Sequence, residues 1–273
     1  MKRLLTLLVA LFAIPASAED IAVDIELMLA VDVSYSMGPR ELELQRRGYA
    51  EALTSPEIMQ AIKTGYYQKV AVTYVEWSGD YDQRVIADWA LIENEDDLAA
   101  FAGTLTARFD DSLRRTSISG VMDYAPIDFR TNGFAGERRV IDISGDGPNN
   151  QGRPVVIARD ELIADGFVIN GLPLMTQGWE RDNPFFDLID LDLYYEACVI
   201  GGPLSFVVPV KSWKEFPAAV RRKLVLELAG RVPSPKVVPA AWSGKTDTGY
   251  DCLIGEKIWQ EFLRRNPGLR GFP

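Results

Sequence analysis

The chain has 273 residues, of which 47% are apolar and 25% charged, a globular composition with room for one large domain and an appendage. It contains no histidine, which excludes Ser-His-Asp and Cys-His triads, HExxH zinc sites and any imidazole base. The formal net charge is −10, and because an acidic surface repels phosphate backbones, nucleic acid is not an expected partner.

The N-terminus has the features of a secretory signal peptide. Lys2 and Arg3 precede an apolar run over 4–14 and the small residues of 16–18, where a signal peptidase would cut. We therefore predict a signal peptide over 1–18 and an exported protein, either periplasmic or extracellular. The alternative is a retained membrane anchor, but the run is shorter than the ~20 apolar residues that span a bilayer. No other segment reaches that length, so no membrane span is expected after cleavage.

Export changes how the two cysteines are interpreted. Cys198 and Cys252 are the only cysteines of the chain, and an even pair in an oxidising compartment predicts a disulfide. Their spacing matches no CxxC or metal-binding motif, and the alternative is a pair of free thiols. A disulfide would tie the C-terminal part of the chain to the domain that precedes it.

Strands and helices alternate along residues 19–230. The first strand is apolar on both faces, which is typical of a strand inside a parallel sheet. The predicted elements, in chain order, are strand 25–31, helices 41–53 and 56–65, strands 70–77 and 85–91, a helix capped by Asn94, helix 116–129, strand 139–144, helix 155–166, strand 167–172, helix 184–196, strand 204–210, and a helix opened by a Ser212–Glu215 capping box. This order predicts an α/β fold with a mostly parallel central sheet, in which 85–91 is an antiparallel edge strand.

Beyond residue 230 the composition changes. Three prolines within 233–239 and two further glycines make an irregular segment before a short helical stretch near 256–265. This part has too few apolar residues to fold alone. We therefore predict one domain over 19–230 and an appendage over 231–273 that docks on it.

Oxygen-bearing side chains follow the predicted strands. Asp32, Ser34 and Ser36 come after the first strand, and Asp146 lies in a Gly-Asp-Gly turn after a later one. Thr116 opens a helix between them in sequence. Ligands of parallel α/β sheets bind at the carboxyl edge of the strands. Two carboxylates and three hydroxyls, without nitrogen or sulfur, suit a hard cation such as Mg²⁺, Mn²⁺ or Ca²⁺. With two carboxylates the cation keeps positive charge and open positions for water or an acidic ligand.

The Asp-x-Ser-x-Ser sequence, the later Thr and the Asp-Gly turn resemble the metal-ion-dependent adhesion site of von Willebrand factor A domains. The order of strands and helices is similar to that fold, and the chain also resembles a family of exported bacterial proteins with such a domain and no assigned function. The resemblance implies a doubly wound sheet with helices on both faces. Arg114 and Arg115 depart from the pattern, because glycines are commoner before the Thr.

The resemblance also implies a function for the site. The expected metal is Mg²⁺, with Mn²⁺ or Ca²⁺ as alternatives. It would be held directly by Ser34, Ser36 and Thr116, and partly through water by Asp32 and Asp146. An Asp or Glu of a partner protein usually completes the coordination in that family. We therefore expect an exported, metal-dependent adhesion or assembly module, with no catalytic residue assigned.

Three alternatives accompany this interpretation. In the first, the Asp-x-Ser-x-Ser segment is a plain cap for the helix that begins near Gly38. In the second, the protein is a metal-dependent hydrolase of an anionic substrate, whose base would be Asp142 or Asp111. Asp142 is otherwise expected to be a buried structural acid bonded to backbone or Arg, and the run 221–223 to lie on the exposed face of its helix. In the third, the site is empty and the protein is structural.

Overall fold

The computed structural model describes residues 19–107, 113–176, 188–230 and 249–269. The predicted signal peptide, Asp111, the start of the predicted helix 184–196 and the prolines of 233–239 lie outside the described residues. None of the helices in the described ranges is long and apolar enough to cross a membrane.

Five strands form the central sheet of the described structure. They are β1 (Ile21–Asp32), β2 (Val70–Trp77), β3 (Gln83–Ile92), β4 (Phe134–Gly145) and β5 (Phe167–Pro173). Their order across the sheet is β3-β2-β1-β4-β5, and all neighbours are parallel except β2 and β3. The sheet confirms the predicted α/β class and its antiparallel edge strand. Because β1 is parallel to both β2 and β4, the carboxyl ends of these three strands meet at one edge, where Asp32 pairs with Trp77.

Eight α-helices connect or follow these strands in the described ranges. They are α1 (Pro39–Leu53), α2 (Pro56–Ile62), α3 (Glu95–Thr106), α4 (Ile118–Phe129), α5 (Val155–Ala164), α6 (Leu191–Tyr194), α7 (Phe216–Leu228) and α8 (Ile254–Arg265). A π-helical turn, Tyr195–Val199, continues α6, and a 3₁₀ turn, Pro267–Leu269, follows α8.

The helices cover both faces of the sheet, and β1 is buried between them. Leu27 and Leu29 pack in an apolar core with α1, α2, α3 and α7, whereas Met28 and Ala30 pack in a second core with α4, α5 and α6. Burying a Leu or Met side chain contributes roughly 1.5–3 kcal/mol. The two cores explain why β1 and β2 are apolar on both faces, and they confirm the doubly wound arrangement.

The structure corrects the prediction for residues 204–210. This segment is not a strand and makes only isolated bridges, which join Val207 to Gly171 of β5 and Val210 to Leu174 just after β5. Leu204 has a positive φ of 65°, which is unusual for a residue with a side chain. Pro209 has no N–H to donate to a ladder. An apolar run is therefore present without the backbone geometry of a strand.

Two predicted helix starts also differ. The helix predicted from 116 begins at Ile118, because Ser117 is its N-cap and accepts a hydrogen bond from the Gly120 amide through its side chain. The predicted Ser212–Glu215 capping box is absent: the Glu215 amide donates to the main-chain oxygen of Ser212 in a turn, and α7 begins after it at Phe216.

The described part of the C-terminal segment is attached to the domain by a disulfide. It joins Cys198, at the end of the π-helical turn, to Cys252, just before α8, with 5.5 Å between their Cα atoms. Tyr250 contacts Tyr194 edge-on, with 6.1 Å between ring centroids. The structure thus contains the cysteine pairing expected from the sequence.

Candidate metal site

The site begins where β1 ends. Asp32 is the last residue of β1 and is fully buried. Its Oδ1 accepts a hydrogen bond of 2.7 Å from the Ser34 amide, which turns the backbone sharply after the strand. Gln45 on α1 donates through Nε2 to the main-chain oxygen of Asp32 at 2.9 Å. Strand, turn and helix together therefore fix the position of this carboxylate.

A chain of side-chain hydrogen bonds joins the loop after β1 to the loop after β4. The hydroxyls of Ser34 and Ser36 lie 2.9 Å apart, and Ser36 donates to Oδ1 of Asp146 at 2.6 Å. Ser34 is buried and Ser36 half-buried. Four of the five predicted ligands, Asp32 among them, are thus brought together at the carboxyl edge of the sheet, as their positions after β1 and β4 predict.

Thr116 lies on the adjoining loop. The Leu113 amide donates to the Val33 carbonyl at 2.8 Å, which brings this loop beside the one after β1. The Thr116 amide donates to Oδ1 of Asn150 at 3.1 Å, and the Asn150 amide donates back to the Thr116 carbonyl at 2.8 Å. Within the described residues, no hydrogen bond joins the Thr116 hydroxyl to the other four side chains. Its role as a ligand stays a prediction.

The electrostatics of the site fit a bound cation. The Oδ2 atom of Asp32 is buried and makes no hydrogen bond within the described residues. Burial raises the pKa of Asp32 well above its usual range, and the neighbouring Asp146 raises it further, against the opposing effect of the Ser34 amide. A buried carboxylate oxygen without a hydrogen-bond partner is costly, and a divalent cation would supply a partner for Oδ2 of Asp32. No group of three or more acidic, His or Cys side chains in the described ranges could hold a metal, so a cation bound here would depend on the hydroxyls as well.

Several residues that organise the site were not singled out from the sequence. Gln45 and Tyr195 belong to helices and carry no local motif. Tyr195 nevertheless lies close to the site: a Cβ added at Gly145 would be 2.9 Å from both the Tyr195 hydroxyl and Oδ2 of Asp32. Asn149 and Asn150 follow Asp146 by three and four residues, within the Gly-rich turn that the sequence predicts after this strand. Asn149 is fully buried, and its Oδ1 accepts from the Ser119 amide at 3.0 Å.

The plain helix-cap alternative is wrong. The N-cap of α1 is Gly38, and the carboxylate of Glu41 accepts its amide hydrogen at 2.8 Å. The serines of the Asp-x-Ser-x-Ser segment therefore do not cap this helix. Their hydroxyls contact each other and Asp146 instead.

Asp142 serves a buried ion-pair network rather than the site. It lies on the face of β4 that packs under α7, and it contacts the ammonium of Lys223, which also contacts Glu227. All three side chains are at most 1% exposed. Two expectations are corrected: the partner of Asp142 is a lysine rather than backbone or Arg, and Lys223 is buried rather than on the exposed face. Asn170 on β5 donates to the same Glu227 oxygen at 2.8 Å.

A family profile described as a protein of unknown function, DUF1194, matches residues 22–232. The chain belongs to this family. The expected membership of a family without an assigned function is thereby confirmed. A comparison of the DUF1194 chain with curated proteins found no match.

Solved structures share the fold of the DUF1194 chain. Proximal thread matrix protein 1 from the mussel byssus, crystal form 2, is 17% identical with a TM-score of 0.54, and the match covers 78% of this chain and 49% of that one. The open conformation of the pilus adhesin SpaC from Lactobacillus rhamnosus GG is 13% identical with a TM-score of 0.53, over 77% of this chain and 31% of that one. The mussel protein with a zinc-occupied MIDAS motif is 16% identical with a TM-score of 0.51, over 78% of this chain and 49% of that one. The neighbours have von Willebrand A-type folds, and this chain spans at most about half of these three.

Proposed function

We propose that the chain is a metal-dependent protein-binding module in which one divalent cation captures a carboxylate of a partner protein. The observation that carries the proposal is the hydrogen-bonded series Asp32, Ser34, Ser36 and Asp146, with a buried Asp32 oxygen that lacks any partner in the described residues. Ser34, Ser36 and Thr116 would hold the ion directly, and the two aspartates partly through water. The zinc-occupied MIDAS motif of a structural neighbour supports this assignment.

The charge of the ligand set determines what kind of partner is expected. Two carboxylates neutralise a divalent cation only formally, and hydroxyl and water ligands leave open positions that an incoming carboxylate can take. The net charge of −10 repels a generally acidic partner at long range. The captured Asp or Glu therefore stands on a neutral or basic surface. Mg²⁺ is the proposed ion, and Mn²⁺ or Ca²⁺ suits the same oxygen ligands.

The proposal places the protein outside the cytoplasm, in the periplasm or the extracellular space, after removal of residues 1–18. The disulfide between Cys198 and Cys252 supports this location, because such bonds persist in oxidising compartments. The proposed adhesion or assembly role is supported by a structural neighbour, a pilus adhesin with a von Willebrand A-type fold. Of the two candidate bases of the hydrolase alternative, Asp142 contacts Lys223 beneath α7, and Asp111 lies outside the described residues.

Calorimetry with Mg²⁺ and Mn²⁺ tests the metal site. We expect one ion per chain for the wild type and no measurable binding for Asp32→Ala. Asp88→Ala is the matched control, because Asp88 is an exposed aspartate on β3 and its loss changes the net charge equally. Equal binding by the wild type and Asp32→Ala would contradict the proposed site.

A pull-down from envelope extract tests partner capture. Partners that bind through the metal should be released by chelator and should not bind Asp32→Ala or Ser34→Ala, while Asp88→Ala captures them normally. Capture that survives both the chelator and Ser34→Ala would place the binding face away from the metal site and refute carboxylate capture.

A further inference from the structure

Helix α8 packs against the turn that follows Asp146. Gly255 lies so close to this turn that a Cβ added there would be 2.0 Å from the main-chain oxygen of Asn149. Glu256 accepts a hydrogen bond of 2.8 Å from Nδ2 of Asn149. The C-terminal helix therefore contacts Asn149 through both its backbone and a carboxylate.

The turn at 149–150 links α8 to both loops of the candidate site. Asn149 lies three residues after Asp146, and its amide donates to the Tyr194 hydroxyl at 3.1 Å. Asn150, its neighbour, exchanges two hydrogen bonds with the main chain of Thr116. A shift of α8 would thus be transmitted through this turn to the loops that carry Asp146 and Thr116.

Arg115 makes a second connection from α8 to the Thr116 loop. Its guanidinium carbon lies 3.6 Å from the ring centroid of Trp259, a close cation–π contact. Arg115 has a φ of 74°, a left-handed conformation that costs energy for any residue with a Cβ and persists only where its surroundings hold it. Stacking on Trp259 gives the Arg115 side chain a contact that a glycine, the commoner residue before the Thr in von Willebrand factor A domains, could not make.

Glu256 and Trp259 are three residues apart on α8, so they lie on the same face of the helix. One rigid helix thus contacts both loops of the site. Gly255 is the only buried residue of α8, and the apolar side chains of the helix are half-buried. The disulfide at Cys252, two residues before the helix begins, tethers α8 covalently to the domain.

We propose that α8 is a positioning element of the metal site, which holds the Thr116 and Asp146 loops through Trp259 and Glu256 and is itself held by the Cys198–Cys252 disulfide. The proposal rests on the proposed metal-binding function. It makes ligand capture dependent on the oxidised state of the disulfide: reduction releases α8 and weakens cation binding, while the sheet stays folded.

Substitutions on α8 separate positioning from general stability. Glu256→Ala removes the acceptor for Asn149, whereas Glu256→Gln keeps an acceptor oxygen and should rescue binding. Trp259→Ala removes the stacking surface, and Cys252→Ala removes the tether. The matched control is Gln260→Ala, because Gln260 lies on the exposed side of the same helix.

Two measurements on the full chain test the proposal. In Mn²⁺ calorimetry, Glu256→Ala, Trp259→Ala and Cys252→Ala should bind about tenfold more weakly, as outer-shell substitutions commonly do. Glu256→Gln and Gln260→Ala should match the wild type. In hydrogen exchange without metal, segments 113–117 and 146–152 should exchange faster in the three weakened variants, while β1 and β4 keep their protection.

The outcomes distinguish this proposal from the function on which it rests. If the wild type binds Mn²⁺ and the three variants bind it equally well, the positioning role is overturned and the proposed function stands. If the wild type binds no metal, the proposed function fails, and unchanged loop exchange in the variants would then overturn the positioning role as well. Loss of protection in β1 and β4 would also count against it, because α8 would then stabilise the whole domain.

Discussion

Lys223 should be a major determinant of stability, although it lies in a run of basic residues. Its ammonium contacts the carboxylates of Asp142 and Glu227, and the three side chains are almost fully excluded from solvent. Arg138 donates to the main-chain oxygen of Glu227 rather than to its carboxylate. Lys223→Met keeps the length and apolar stem of the side chain but removes the charge. Both buried carboxylates then lose the ammonium that contacts them.

The expected cost follows from that loss. Removing one partner of a buried ion pair typically destabilises a protein by about 3–5 kcal/mol, because an uncompensated charge remains in the interior. We expect Lys223→Met to lower the free energy of unfolding by this amount at pH 8. Arg222→Met, on the exposed side of the same helix, should change it by about 0.5 kcal/mol or less.

The cost should depend on pH in a defined direction. Burial and the nearby Asp142 raise the pKa of Glu227 to about 7, against the lowering effect of Lys223. Because the folded-state pKa is raised, the stability from protonated Glu227 is fully present below about pH 4.3 and is lost as the pH rises through 7. Burial also raises the pKa of Asp142, and Lys223 lowers it. Without Lys223 the folded protein takes up about one further proton, so the cost should shrink by up to about 1.4 kcal/mol per pH unit as the pH falls.

Urea unfolding followed by far-UV circular dichroism at pH 5, 6.5 and 8 measures these differences. The double variant Lys223→Met/Glu227→Gln removes one of the two carboxylates and should recover part of the loss at pH 8. A cost below about 1 kcal/mol at pH 8, or one that does not shrink toward pH 5, would refute the reasoning. The ion-pair network would then contribute no more than a surface pair does.

Two further predictions concern packing and the disulfide. Gly48→Ala should destabilise the protein by about 1–3 kcal/mol in urea unfolding, because the added Cβ would lie 2.4 Å from Phe216 between α1 and α7. Gly103→Ala is the control: Gly103 has open space around it, so this substitution should stabilise α3 by up to about 1 kcal/mol. Equal effects of the two substitutions would contradict this packing. Non-reducing peptide maps of exported protein should contain a peptide pair in which Cys198 is linked to Cys252. Reduction of this bond should lower the free energy of unfolding by up to about 4 kcal/mol, given the sequence separation of 54. Alkylation of both thiols in the native protein would rule out the bond.

The sequence predicts best where burial alone determines structure. The bounds of β2 were predicted correctly at both ends, because every residue from 70 to 77 is buried. The strand predicted over 139–144 is longer, since β4 already begins at Phe134. Its first half carries Glu137 and Arg138 and is extended by pairing with β1, which no local apolar pattern reveals.

The candidate site was predictable to the extent that it depends on strand ends. Asp32 ends β1 and Asp146 follows β4, which is parallel to β1, so their proximity is a consequence of topology. The contacts of α8 with Arg115 and Asn149 join residues more than 100 positions apart, and nothing local in the sequence signals them. The expectation that Lys223 is exposed is wrong, although helical spacing places it with Val220 and Glu227 on the buried face of α7.

The segment that follows Gly201 affects whether two copies of this protein can pair through the edges of their sheets. Its main chain lies along the outer edge of β5, where Gly171 donates to Phe206 and accepts from Val208. These bonds occupy the backbone groups that a strand of another molecule would need for pairing. At the opposite edge, β3 is bulged against β2 and carries charged side chains, which disfavours pairing there. Both edges of the sheet are thereby protected against aggregation by strand addition, in a protein proposed to work outside the cytoplasm.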